Sequence, residues 1–420
     1  MTRLPAHGRS RDEVLGELDA MRTRDVDWRS GRAFTLAYHA GQDVLDLQAD
    51  ALIAFMDDNG LNPDAFPSSR RLQSEVVGMV ADLVHGGEEA AGFLTTGGTE
   101  SLLMTVKAAR ERGRRERGIA EAEMVLPASA HAAFEKAAHY FGVRSVRVPV
   151  SDDYRADADA MADAITDRTV LLVGSAPQYP QGVIDPIEAI ASLADERGIS
   201  CHVDACMGGI TLPMLERLGQ PLPPWDFRVN GVTSISVDLH KFGYAAKGAS
   251  VIVHRTKELR SYQTFFTVNW TGGAYGSSAV LGTKSVGPWA AAWAVMQYLG
   301  EDGYLRLTKQ ARDATLRLID AIRAVPGLVI RGEPEVTLVA FGSDDDALDI
   351  YAVADALRSR GWYLDRQEPP PSLHATVNAV HAAVMDRFVE DLTGAVAEVR
   401  SGDGRGVEGK GEQGAYGSVE

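Results

Sequence analysis

Only two cysteines, Cys201 and Cys206, occur in 420 residues, too few for a disulfide framework or a thiolate metal site. Positive charge is also scarce: 42 Lys and Arg stand against 58 Asp and Glu, a formal charge of −16. That balance argues against a general nucleic-acid binder, which needs clustered cations to neutralise phosphates. Long apolar runs are missing as well. The most apolar uncharged stretch, residues 289–299, falls short of the roughly 18 residues that cross a bilayer. Residues 1–25 mix both charge signs and carry no apolar segment of the secretory kind. With 45% apolar and 24% charged residues, the composition that remains is that of a globular chain of enzyme size, expected in the cytoplasm.

The pattern along the chain alternates. Short β-branched runs at residues 169–173, 200–203 and 232–237 predict buried strands, and amphipathic stretches at 100–112, 131–141 and 186–197 predict helices between them. Such alternation implies an α/β fold with a mostly parallel sheet covered by helices on both faces. A long helix is expected from residue 288 to about 324, and residues 328–399 read as strand, strand, helix, strand, helix, a smaller α+β unit. Pro67 and the cluster Pro221, Pro223 and Pro224 read as loop punctuation. Residues 401–420 are Gly-rich without apolar periodicity and are expected to be disordered.

Four places carry residue types with chemistry to offer. The run TTGGTES, residues 95–101, leads into an amphipathic helix. Its glycines let backbone approach a ligand closely, Thr99 can cap the helix, and the free N–H groups favour an anion. Asp204 ends a predicted strand, where open α/β sheets place ligand groups, and a poorly solvated carboxylate there wants a cationic partner. Lys241 follows another buried strand, beside His240, and a lysine in such a pocket can form a Schiff base. His131 opens a helix, placed to stack on a ring or to act as acid or base. Singly, each has a bland explanation: a capped turn, a turn aspartate, a surface lysine, a structural histidine. Trp289 and Trp293, at helical spacing, are expected to pack in the core, and the cysteines to be buried thiols. Taken together, a phosphate-binding helix start, an acid for a protonated ring nitrogen, a stacking imidazole and a Schiff-base lysine describe a pyridoxal 5'-phosphate site.

At this point the sequence resembles the sphingosine-1-phosphate lyase family, within the group II amino-acid decarboxylase-like enzymes of fold type I. The resemblance runs from about residue 30 to 399. It includes LNPDAFP (61–67), TTGGTES, HAAFEKAAHYFG (131–142) and SAPQYPQGVIDP (175–186), then HVDACMGG (202–209), DFRVNGVTSISVDLHKFGYAAKG (226–248) and GWYLDRQEPPPSLH (361–374). It implies that Lys241 holds the cofactor, Asp204 pairs with the pyridinium nitrogen and His131 stacks on the ring. Gly98, Thr99, Ser236 and His240 would contact the phosphate, with Ser277 reaching it from the neighbouring subunit of a homodimer. Tyr38, Tyr179 and Lys247 would line the substrate side. The implied division is an N-terminal segment (1–70) serving the active site and dimer, a large cofactor domain (71–325), a small α+β domain (326–400) and the tail (401–420).

The chain departs from the family pattern in places. Asn62 stands where His is usual, Gln181 replaces the His of a Pro-His-Gly run, Leu239 replaces a Thr, and residues 282–286 read GTKSV. Two imidazoles near the pocket thereby become neutral amides, which weakens the expectation of a doubly charged phosphate on the substrate. The resulting expectation is a carbon–carbon lyase acting through a Schiff base of its substrate, a retro-aldol cleavage of a β-hydroxy amine or amino acid that releases an aldehyde. Decarboxylation of an amino acid is the alternative, and transamination a lesser one, because these reactions share the cofactor contacts.

Overall fold

The computed structural model describes residues 3–402, so all but the first two residues of the Gly-rich tail lie outside the described residues. Ser401 itself closes the last helix, Met385–Ser401, rather than beginning a disordered tail.

Runs of Val, Ile and Leu become strands because branched side chains pack well on a pleated surface covered from both sides. Seven strands form the main sheet: β1 (Ala91–Thr95), β2 (Glu123–Pro127), β3 (Arg144–Val148), β4 (Thr169–Ser175), β5 (Ser200–Asp204), β6 (Val232–Val237) and β7 (Ser250–His254). Their order is β1-β7-β6-β5-β4-β2-β3, and every residue of β2, β4, β5 and β7 is buried. Strands β2 to β6 run parallel, whereas β7 is antiparallel to both its neighbours, β1 and β6. Strand β1 therefore points the same way as β5 and β6. This brings three carboxyl ends, with the residues that follow them, to one edge of the sheet: Thr95, Asp204 and Val237. That edge is where open α/β sheets bind ligands.

Apolar cores lie on both faces of the sheet, one including Leu94, Val203 and Val237, the other Leu126, Phe134 and Val173. A short hairpin, β8 (Phe265–Thr267) and β9 (Tyr275–Ser277), precedes the long helix Gly287–Ala324. That helix is broken at Gly300, whose φ of 55° and ψ of −171° interrupt the helical backbone. A second, antiparallel sheet follows, β10 (Leu328–Arg331), β11 (Leu338–Ser343), β12 (Asp365–Gln367) and β13 (Ser372–Thr376), in the order β10-β11-β13-β12. Its core includes Phe341, Trp362 and Phe388, and also Phe34 from the N-terminal segment, stacked 4.1 Å from the His381 ring.

Three local expectations need correction. Pro67 opens the helix Pro67–Leu83, where its fixed φ and missing N–H suit the first turn. Thr99 is not a cap: the helix Gly98–Arg117 begins one residue earlier, capped at Gly97 without a side-chain bond. The small sheet has one more strand than expected, because β12, Asp-Arg-Gln, is too short and polar to show alternation. Trp289 is buried, while Trp293 sits at the margin and donates its indole N–H to Glu75 at 2.6 Å. Among the described residues no helix is long and apolar enough to cross a membrane.

Candidate active site

Burial obliges each polar group at the strand ends to find a partner. Asp204, the last residue of β5, accepts from the Cys206 backbone N–H at 3.0 Å and the Ser236 hydroxyl at 3.4 Å, both on Oδ1. Behind it lies His202, between the Ser234 and Ser236 hydroxyls at 2.9 and 3.2 Å. Burial pushes this imidazole down to about 4, so it is neutral at physiological pH. Ser236 is thus fully buried beneath Asp204, away from the cavity wall, instead of at the expected phosphate position. Cys201 and Cys206 are buried free thiols.

Beyond the end of β6 the chain turns through Asp238, Leu239, His240 and Lys241. The lysine Nζ lies 3.0 Å from Asp238 Oδ2, and His240 Nε2 lies 3.7 Å from the same oxygen. Burial by itself would raise the Asp238 pKa, but Lys241 and His240 outweigh it and hold the carboxyl below its usual range. Sequence reasoning missed Asp238. Its signal was available: an aspartate directly after a buried strand needs a cation, and His240 and Lys241 follow within three residues. Asp238 Oδ1 and His240 Nδ1 are buried without hydrogen-bond partners among the described residues.

The loop after β1 closes against this turn. A Cβ on Gly98 would stand 2.6 Å from Asp238 Oδ2 and 3.1 Å from Cys206 Sγ, so only glycine lets the helix start come this close. Glu100, buried in the first turn, accepts from Thr96 N and Oγ1, each at 2.7 Å, and fixes the loop. Thr99 is left to face the cavity. His131 precedes its helix, Ala133–Phe141, by two residues, and its Nδ1 accepts the Ala133 N–H at 3.0 Å. Burial is the largest influence on that ring and lowers its pKa.

The opposite wall comes from distant segments. The Lys247 amine donates to the backbone oxygens of Leu36 (2.9 Å) and His240 (3.1 Å) and lies 4.9 Å from the Tyr38 ring centre. Burial, reinforced by Lys241, pushes it down to about 8. The Tyr179 hydroxyl donates to Asp365 Oδ2 at 3.1 Å, while its ring packs 4.1 Å from that of His374. Lys136 and Tyr140, on the helix after His131, complete the rim and were also missed.

These groups surround one cavity of about 520 Å³, lined by Tyr38, Gly98, Thr99, His131, Tyr179, Asp204, His240, Lys241 and Lys247, with Asp238 among them. Three expected residues lie elsewhere. Asn62 Oδ1 accepts from Asp64 N and Ala65 N, closing a turn. Gln181 is buried against Gln178 and lines a neighbouring cavity. Ser277 ends the β8–β9 hairpin, with its hydroxyl turned to Ala279. Neither Asn62 nor Gln181 reaches the catalytic cavity of its own chain, so the charge argument drawn from those positions has no footing within one chain.

The donor set fits pyridoxal phosphate. An amine for the aldehyde, an acid for the ring nitrogen, an imidazole at the wall and a glycine-lined helix start for the phosphate share one cavity. A family model of the pyridoxal-dependent decarboxylase conserved domain matches residues 2–343. The sphingosine-1-phosphate lyase of Oryza sativa subsp. japonica is 40% identical over 411 residues, 96% of this chain and 76% of that protein. The solved structure of Burkholderia pseudomallei sphingosine-1-phosphate lyase is 41% identical with a TM-score of 0.91, covering 96% of this chain and 93% of that one. The L-aspartate decarboxylase of Thermococcus kodakarensis is 32% identical over 85% of this chain and 90% of its own. The chain belongs to the sphingosine-1-phosphate lyase family, pyridoxal phosphate-dependent carbon–carbon lyases of fold type I.

Proposed function

We propose that the chain splits a β-hydroxy amine or amino acid between its amine-bearing and hydroxyl-bearing carbons, releasing an aldehyde, with Lys247 taking the hydroxyl proton. The observation that carries this reading is the Lys247 amine, which stands at the wall of the catalytic cavity, donates to the backbone oxygens of Leu36 and His240, and is pushed down to about 8 by lost hydration and by Lys241. Aldehyde release requires a base at the β-hydroxyl, whereas loss of carbon dioxide from a carboxylate requires none. An amine about half of which is neutral near pH 8 meets that need.

When bound, pyridoxal phosphate supplies an aldehyde that condenses with amines and a ring that takes up the electron pair released at the substrate carbon. Within the three-part division, residues 1–70, 71–325 and 326–400, the chain supplies the rest. Lys241 would provide the amine that holds the cofactor. Asp238, 3.0 Å from that amine, keeps it placed and balances its charge. Asp204, set by Cys206 N–H and Ser236, would pair with the ring nitrogen and keep it protonated. His131 would stack on the ring, while Gly98, Thr99 and His240 would hold the phosphate. Tyr38 and Tyr179 orient the substrate. The relatives' names make a phosphorylated sphingoid base one member of this substrate class.

A homodimer and a cytoplasmic location belong to the same proposal. The hairpin region exposes Phe265, Phe266, Val268 and Trp270, between 53% and 69% accessible, an apolar face suited to a second copy. Ser277 on that hairpin would then serve the neighbouring site. The decisive assay incubates the cofactor-loaded enzyme with β-hydroxy amines and amino acids, measuring aldehyde, amine and carbon dioxide. Aldehyde with the matching amine supports the reading, and carbon dioxide without aldehyde overturns it.

A further inference from the structure

A second cavity, of about 680 Å³, adjoins the catalytic one, and His131 and Tyr179 line both. Its near wall is built by the loops after β2 and β3, with Ala130, Ala132 and Val150, and by the turn after β4. The far wall comes from the small sheet: β12 and the prolines that follow it, Pro369 and Pro370. A substrate leaving the catalytic cavity past the Tyr179 ring enters a space whose walls are mostly apolar.

Polar side chains interrupt those apolar walls, among them Gln181, Gln367, Glu368 and Asp365, and of these Asp365 is the one bonded to the Tyr179 hydroxyl. One oxygen, Oδ2, accepts both of its hydrogen bonds, from Thr35 Oγ1 at 2.6 Å and from the Tyr179 hydroxyl at 3.1 Å. No cation pairs with it among the described residues, and the neighbouring Arg366 is turned away onto Asp355. Burial accordingly raises its pKa, with Thr35 and Tyr179 offsetting only part of the effect. Among the described residues no hydrogen bond reaches the second oxygen, which leaves it to whatever fills the cavity. A plain alkyl chain would bury apolar surface here and strip that oxygen of water without replacing the bond, whereas a chain with a donor at this depth would do both.

We propose that the second cavity receives the part of the substrate released as the aldehyde, and that it selects a chain bearing a hydrogen-bond donor, hydroxyl or amine, which Asp365 accepts. The inference rests on the lyase reading and adds to it a substrate class: β-hydroxy amines whose far chain is apolar along its length but carries one further donor. Tyr179, whose hydroxyl is held by Asp365 while its ring divides the cavities, couples the two sites.

Three β-hydroxy amines of one length test it, carrying a hydroxyl, an amine or a methyl group at the same far position. We expect either donor compound to exceed the methyl compound by about tenfold in kcat/KM for aldehyde release, the worth of one partly buried hydrogen bond. Asp365→Asn keeps an oxygen for Thr35 and Tyr179 but turns the free acceptor into an NH2 donor. In that variant the donor-to-methyl ratio should fall to about two or less, while an unchanged melting temperature shows that the fold is kept. Calorimetric binding of the same compounds reads the cavity without turnover. A methyl compound that binds and reacts as well as both donor compounds overturns the subsite. Donor preference in calorimetry with no aldehyde from any compound leaves the subsite standing and defeats the lyase reading alone.

Discussion

The two walls of the catalytic cavity are built in different ways. The cofactor wall draws its groups from the ends of β1, β5 and β6 and the loop after β2, all on one sheet edge whose strands are hydrogen-bonded to each other. Most are held from behind, Asp204 by Ser236 and Cys206 and Lys241 by Asp238, and the absent side chain of Gly98 leaves the Asp238 carboxylate room. The substrate wall joins Tyr38, Tyr179 and Lys247, backed by Asp365, across contacts such as Thr35–Asp365 that span 330 residues. Strand ends fixed by a sheet leave little freedom, so the first wall is set once the sheet forms. The second wall is assembled by packing of the N-terminal segment and the small sheet, and single substitutions can reshape it without touching the first.

Substitutions on the two walls should therefore fail differently. On the cofactor wall, Lys241→Ala should abolish the visible band near about 420 nm that the bound cofactor shows and lower turnover by at least about a thousandfold. Borohydride treatment followed by peptide mass mapping locates the loss at residue 241. On the substrate wall, Lys247→Met should lower kcat by about 10²–10³ while the visible band persists. The sign of its pH dependence follows from the lowered pKa. On the proposal that Lys247 is the base, it works only when neutral, so the rate of the unaltered enzyme should rise as pH passes about 8 and level above it. The variant should lose that rise, and added small amines should restore part of the rate. If the band disappears with the rate, the walls are not separable.

Asp238→Asn probes support rather than chemistry. It removes the partner of a buried cation and should lower the stability of the cofactor-free protein by about 3 kcal/mol in urea unfolding. Combining it with Lys241→Met should recover most of that loss, because the unpaired charge disappears with the lysine. The smallest effect is expected for Gly98→Ala, whose methyl meets the Asp238 carboxylate at 2.6 Å. Cofactor affinity, read by titration of the visible band, should weaken by about tenfold as the helix start shifts.

Much of the cofactor wall was legible in the sequence, since Gly98, Thr99, His131, Asp204, His240 and Lys241 sit at positions that strand and helix periodicity alone marks as element ends. Strand β6 was read at the bounds it has, 232–237, because four of its six residues, Val232, Thr233, Ile235 and Val237, are β-branched and suit a pleated sheet. Ser236 lies under Asp204 because alternation along a strand decides which face a side chain takes. The Asn62 side chain closes its own turn, a local use that resemblance does not reveal. Asp365 was not singled out: its importance depends on Thr35 and Tyr179, neither of which is near it in the chain.

By itself the sequence determined the strand and helix alternation, the chemistry-bearing residues at its junctions and, through them, the cofactor. These are local properties, set by side-chain shape and by the cost of burying an unpaired charge. Only the tertiary structure decided that Asp238 stands under Lys241, that Lys247 is drawn onto the Leu36 and His240 backbone beside Lys241, and that a second cavity opens behind Tyr179. Each of those depends on how closely two segments approach and how much water their packing excludes, and distance and desolvation exist only once the chain has folded.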